Sequence, residues 1–351
     1  STTGDLTLTA NDDDADGDGG DYISIADGAL INAGSGAISL STVGASNGDG
    51  GRITLGGLRT TDGSATAVQI STDADVVDAG SAHTDVDAAN GRLVIEAVTG
   101  VGATDPGTPA DAALETAVDS VDITNTTDGV IAIDETDDVE LIAVTNQDSD
   151  TDAATEGIDI EAGGTITVAA AGGGGSGVST VDGPIALDAN GTDSDIAVEN
   201  TVDAGGDGAI RLLADDSVTF TVAGDVTATG TGDITVTADA DGGDDGNDGR
   251  VITMAGSGTD TTTLDAGSGK IDIDADGDVT VGRLVTTSTD VSPAAVDIAT
   301  SGGEVIDGGD DNDSDVLDED IEAGGRLTIS AVNGVGATDP GTPADAALET
   351  A

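Results

Sequence analysis

The chain has 351 residues, with 70 Asp and Glu against 8 Lys and Arg, a formal net charge of −62. So few cations cannot neutralise a phosphate backbone, and anionic headgroups would repel this surface, which argues against nucleic acid and lipid as partners. There is no Cys or Trp, only one Phe and one Tyr, and no apolar run near eighteen residues, so neither a disulfide scaffold nor direct membrane insertion is expected.

Gly and Asp are abundant and sit poorly in helix interiors, whereas Val and Ile suit a pleated surface. From the N-terminus, short segments alternate apolar and polar residues behind a Gly: GDLTLTA (4–10), GAISLST (36–42), GRITLGG (51–57) and GRLVIEA (91–97). The series continues with GVIAIDE (129–135), GTITVAA (164–170), GPIALDA (183–189) and GAIRLLA (208–214). It closes with GDITVTA (232–238), GKIDIDA (269–275) and GRLTISA (325–331). A period of two marks strands with one buried face, and the Gly, Asp, Asn and Ser between them mark turns. Thr108–Ala117, TPADAALETA, is the one helix-like stretch. Thr108 can cap and Pro109 suits the first helical position, so a single helical turn and an extended path both stay open there.

The segment GVGATDPGTPADAALETA occurs at 100–117 and again, unchanged, at 334–351. GDLTLTA at 4–10 matches GDITVTA at 232–238, AGSG at 33–36 matches 266–269, and AVQIST at 67 matches AVDIAT at 295. A unit of roughly 230 residues therefore runs once over 1–228 and partly again over 229–351 as one continuous solenoid. The chain starts at Ser1 and stops inside a repeat, so it is expected to be a segment of a longer polypeptide.

The fold class that follows is all-β, a parallel β-helix or β-solenoid with Asp/Gly-rich loops. A nearly uniform strand motif suits stacked coils, and aliphatic residues at like positions suit a ladder. An antiparallel sandwich of this size would need more aromatic anchors. With twenty-odd residues per coil there would be about fifteen coils, and at about 4.8 Å each a length of roughly 70 Å.

The stretch Gly100–Val144 resembles the repeat of giant bacterial surface proteins of the filamentous haemagglutinin-like type. The resemblance is carried by ALETAV at Ala113–Val118, by Asn125–Gly129, and by Ile131 and Ile133. It implies a right-handed parallel β-helix on a secreted or surface-attached protein: an extended fibre, sheath or adhesin stalk, self-associating with copies or neighbouring repeats. The Asp loading is heavier than in that family, and loops such as Asn11–Asp21 are long.

Clusters of Asp at alternate positions are the candidates for chemistry. They are Asp12, Asp14, Asp16 and Asp18; Asp148, Asp150 and Asp152; Asp239, Asp241 and Asp244; and Asp311, Asp313 and Asp315. A D-x-D-x-D loop can converge three carboxylates on calcium, which takes six to eight oxygens. The competing reading is a set of solvated acidic loops with diffuse counterions. Asp311 and Glu322 match the first and twelfth places of an EF-hand loop, but Val316 in place of the required Gly and the lack of flanking helical sequence argue against one. GASNG around Ser46 lacks the strand–turn–helix context of a nucleophile elbow, and the lone His83 sits in a loop-like sequence. Arg52, Arg92, Arg250 and Arg326, each behind a Gly, are expected to pair with surface acids.

No catalytic constellation emerges, and the expectation is a non-enzymatic, cation-stabilised structural segment at the cell surface or outside the cell. A calcium-dependent folding module is the alternative. A carbohydrate-active β-helix enzyme is a third reading, opposed by the near absence of aromatic sugar platforms.

Overall fold

The computed structural model describes residues 4–10, 22–42, 51–80, 84–102, 113–149, 157–171, 174–239, 250–257, 260–308, 320–336, 348 and 350. Among them there is no α-helix; regular structure is strand. The chain forms two compact units, Ser1–Ala162 with Thr180–Gly183, and Gly163–Ser179 with Pro184–Ala351. Each is a β-solenoid of parallel strands.

Three columns of strands build the second unit. One stacks Ile185–Ala189, Ile210–Ala214, Ile234–Ala238, Ile271–Ala275, Val296–Thr300 and Leu327–Ser330, all parallel and in register. A second stacks Ile166–Val168, Ile196–Val198, Val218–Phe220, Ile252–Met254, Val279–Val281 and Glu304–Asp307. A third stacks Val202–Ala204, Val226–Ala228, Thr263–Asp265, Arg283–Thr286 and Ile321–Ala323. Parallel strands joined by a full turn of chain give a coil, and the coil repeats.

The alternation seen in the sequence is the reason these strands stack. In Ile234–Ala238 the residues Ile234, Val236 and Ala238 are buried and the threonines between them are half-buried. Their register partners Ile271 and Ile273 are buried as well, so each inward residue meets its equivalent one coil away. Each such Ile removed from water contributes about 1.5–3 kcal/mol. Phe220 and Met254 are register partners in this aliphatic core.

Coil length varies more than the strands do. Ile210 pairs with Ile234 after 24 residues, whereas Ile234 pairs with Ile271 after 37. The longer coil contains the acidic stretch 240–249. Some coils therefore keep to the twenty-odd residues expected, such as Ile185 to Ile210 and Ile271 to Val296 at 25 each, and others exceed it. Extra length accumulates between strands because loop closure grows only slowly with length, while a register change would turn every inward side chain outward.

The first unit follows the same plan. Leu6–Thr9 pairs with Ile38–Ser41, which pairs with Val68–Ser71, which pairs with Val86–Ala97. Val86–Ala97 and Leu114–Asn125 are twelve residues each and pair with one another through a register shift between Val118 and Ser120. Leu114–Ala117 is strand, so the helical option fails over that part of Thr108–Ala117; residues 108–112 lie outside the described residues.

The repeated sequence motifs occupy repeated structural places. In AGSG, Gly34 and Gly267 both take positive φ, 68° and 53°. Gly36 N–H donates to Ala33 O and Gly269 N–H donates to Ala266 O, closing the same turn. A Cβ on Gly36 would overlap Gly4 O, and one on Gly269 would overlap Gly232 O. The hydroxyls of Thr60 and Thr286 then donate to Gly36 O and Gly269 O, at 2.7 and 2.6 Å. Only Gly lets the coils approach this closely with the turn in that hand.

Candidate metal centre

Many aspartates serve the backbone. Asp5, Asp195, Asp225, Asp233 and Asp278 each stand one residue before a strand. Each accepts, through Oδ1, the N–H of the residue in the equivalent place one coil on: Ala37, Ser217, Thr263, Lys270 and Glu304, at 2.8–3.1 Å. The side chain bonds a backbone donor that the ladder would leave over at a strand start, and an Asp is short enough to do it.

Asp85 stands in the same place before Val86–Ala97 and accepts the N–H of Glu115 through Oδ2 at 3.3 Å. Its own N–H donates to Glu115 O at 2.8 Å, and Leu58 N–H donates to its carbonyl at 2.7 Å. Asp85 is therefore clamped between strands on both sides. It differs from the other five in being fully buried.

Asp78, at the end of Val76–Asp78, and Glu115, at the start of Leu114–Asn125, bring their carboxylates to it. One oxygen from each of Asp78, Asp85 and Glu115 lies within 4.8 Å of the others. Asp78 is oriented by the Gly80 N–H, which donates to its Oδ1 at 2.6 Å. Asp85 Oδ1 and Glu115 Oε2 are both shielded from solvent and have no hydrogen-bond partner. Burial, followed by the charges of Asp78 and Glu115, pushes the Asp85 carboxyl up to about 9. Burial and the Asp78 charge push Glu115 up as well, and Asp134 adds to this. Asp134 is the register partner of Glu115, and Glu161 that of Asp134, so acids stack on successive coils. At about 4 Å, like charges repel by about 1 kcal/mol in water and about 4 at the effective dielectric near a protein surface.

Glu135 is a second buried acid with a different solution. Its carboxylate accepts the Thr116 hydroxyl at 2.7 Å and the N–H groups of Val118 and Thr136 at 3.1 and 3.0 Å. Val118 borders the register shift, so Glu135 collects a backbone donor released by the bulge. Burial still outweighs these donors and pushes Glu135 up to about 7. Asn125 and Asn146 are buried too: Asn125 Nδ2 donates to Asn146 Oδ1 at 3.0 Å, and Gly100 N–H donates to Asn125 Oδ1 at 2.9 Å.

The acidic runs singled out in the sequence fare differently. Asp12, Asp14, Asp16, Asp18, Asp150, Asp152, Asp241, Asp244, Asp311, Asp313 and Asp315 lie outside the described residues, as do Ser46 and His83. Asp148 is buried, and its N–H donates to Asn146 Oδ1 at 3.2 Å. Asp239 pairs with the buried Arg250. Arg52 pairs with Asp75, bonding through Nε at 2.8 Å. Arg92 reaches the Ser120 hydroxyl at 3.3 Å and Arg326 the Val291 carbonyl at 3.4 Å. The cluster Asp78, Asp85 and Glu115 escaped sequence reading because 37 residues separate its ends and no two members share a motif. The one available signal was Asp85 directly before the strand residues that start at Val86, after the sequence GSAHT (80–84).

Comparison of the chain with family models, with curated proteins and with solved structures finds no match. The parallel solenoid therefore stands on the geometry above.

Proposed function

We propose that this chain is a structural repeat segment of a secreted or surface-attached giant bacterial protein of the filamentous haemagglutinin-like kind. In this reading it winds as a right-handed β-helix and contributes extent to a fibre, sheath or adhesin stalk. It acts outside the cell, associates with copies of itself or neighbouring repeats, and is not an enzyme. Calcium, held by the acidic loops, screens the stacked carboxylates.

One observation carries the reading. Segments duplicated about 230 residues apart take the same place in the coil: AGSG makes the same turn, and Asp5 and Asp233 accept the same N–H from the next coil. Duplication of this kind adds coils, and added coils add length without adding a new site. The motif Asn125–Gly129 supports the reading further, since Asn125 holds the corner through Asp128 O and Gly129 O at 2.8 and 3.2 Å.

Negative-stain electron microscopy of the purified chain, in millimolar calcium and after chelation, tests the proposal. Elongated particles, joined into longer filaments with calcium, are the expected result. Globular particles in both conditions would overturn it.

A further inference from the structure

We propose that Asp78, Asp85 and Glu115 form a divalent-cation site, with calcium the ion it fits best. The site is separate from the acidic loops and concerns the packing of the first unit, so it stands whether or not the chain belongs to a surface fibre.

Three features of the cluster point to a ligand. First, the ligand oxygens come from three chain segments, yet all lie within 4.8 Å of one another. Calcium binds oxygens at about 2.3–2.6 Å, so ligands on opposite sides of one ion stand up to about 5 Å apart. Second, Asp85 is completely buried while its Oδ1 has no hydrogen-bond donor, and the shielded Glu115 Oε2 has none either. Such an acceptor in a folded interior calls for a positive partner, because an unpaired buried polar atom is costly. The aspartates at equivalent strand starts are half-buried or exposed, so water reaches them. Third, the backbone holds the cluster in place: Leu58 and Glu115 fix Asp85 from the two neighbouring strands, and Gly80 fixes Asp78.

The donor set selects the ion. All donors are carboxylate oxygens, which suits hard cations and disfavours zinc, whose structural sites use thiolate and imidazole. Magnesium demands near-octahedral geometry and gives up its waters reluctantly. Calcium accepts an irregular shell of oxygens, which suits three carboxylates brought from separate segments.

A bound ion would tie the end of Val76–Asp78 to the starts of Val86–Ala97 and Leu114–Asn125, across the connection of residues 79–84. It would lock one coil to the next where the carboxylates otherwise repel.

Hydrogen exchange on the intact 351-residue chain, with calcium chloride and with chelator, provides the test. Calcium is expected to slow exchange at least tenfold in peptides covering residues 76–88 and 113–120. Asp85→Asn and Glu115→Gln should each abolish that local effect, while Asp297→Asn, in the second unit, should retain it. Circular dichroism establishes that each variant is folded; should Asp85→Asn fail, Glu115→Gln and the wild-type comparison still decide. Unchanged exchange in the wild type on adding calcium would overturn the proposal and leave a pair of carboxyls sharing a proton. Slowing that survives both substitutions would place the ion elsewhere and overturn it equally.

Discussion

Asp233 accepts the backbone N–H of Lys270 at 2.8 Å, one coil further along the stack, and so ties its coil to the next at the point where a strand begins. The same bond joins Asp5 to Ala37 and Asp225 to Thr263. The Gly-Asp pair that opens so many strands is thus a stacking device. At Gly224-Asp225 and Gly232-Asp233 the Gly admits the preceding coil, at Val198 O and Gly208 O, and the Asp takes a donor from the following coil.

This device makes a direct expectation. Asp225→Ala removes the acceptor for Thr263 N–H, which lies 2.8 Å away at a half-buried site. A loss of about 1 kcal/mol is expected, the net worth of one such hydrogen bond. Asp225→Asn keeps an acceptor oxygen and should stay near wild type. Urea unfolding midpoints of the two variants decide; equal losses would mean that the carboxylate acts through charge.

Gly269 makes a sharper test. A Cβ there would overlap Gly232 O, whereas a Cβ on Gly4 meets nothing within 4 Å. Gly269→Ala should destabilise by about 1–3 kcal/mol, the usual cost of forcing extra atoms into a packed place. Gly4→Ala should fall within about 0.5 kcal/mol of wild type. Thermal unfolding of both would check the contrast.

The aliphatic ladder should respond to truncation by size. Ile271 is fully buried between its register partners Ile234 and Val296. Ile271→Val should cost about 0.5–1.5 kcal/mol and Ile271→Ala about 2–5 kcal/mol. An Ala variant as stable as wild type would place Ile271 outside the core.

Stability should fall as pH rises. Burial moves Glu135 from its usual 4.5 to about 7, so between these values the folded chain holds more protons than the unfolded chain. The stabilisation is fully present below pH 4.5 and is lost as pH climbs through about 7, a contribution of about 3 kcal/mol. Burial raises Asp134, Asp203, Asp272 and Asp274 in the same direction, with Asp297 adding to the rise of Asp272. Glu135→Gln should flatten the decline in urea midpoint between pH 5 and 8 in calcium-free buffer. An unchanged slope would show that Glu135 does not titrate in this window.

Much of this architecture was legible because the inward positions are chemically monotonous. Ile234, Val236 and Ala238 alternate with threonine, and only a half-buried strand needs that order. The parallel stack followed from the duplication and the uniform motif. Two things were not legible. The roles of the aspartates depend on which carboxylates the coil brings together, and sequence spacing does not report that: Asp85 meets Glu115 across a coil, whereas most of the conspicuous alternating runs lie outside the described residues. The surroundings of the arginines were also hidden, since Arg250 is buried against Asp239 while Arg52 is exposed.

The claim that repetition adds extent is tested most directly by the contour length of particles in the electron microscope. Chains of 351 residues would be compared with chains carrying one further unit of about 230 residues. The account predicts that the long dimension grows by about 40 Å, eight or nine coils at about 4.8 Å, with the width unchanged. Particles that widen in all directions as the chain is extended would contradict it.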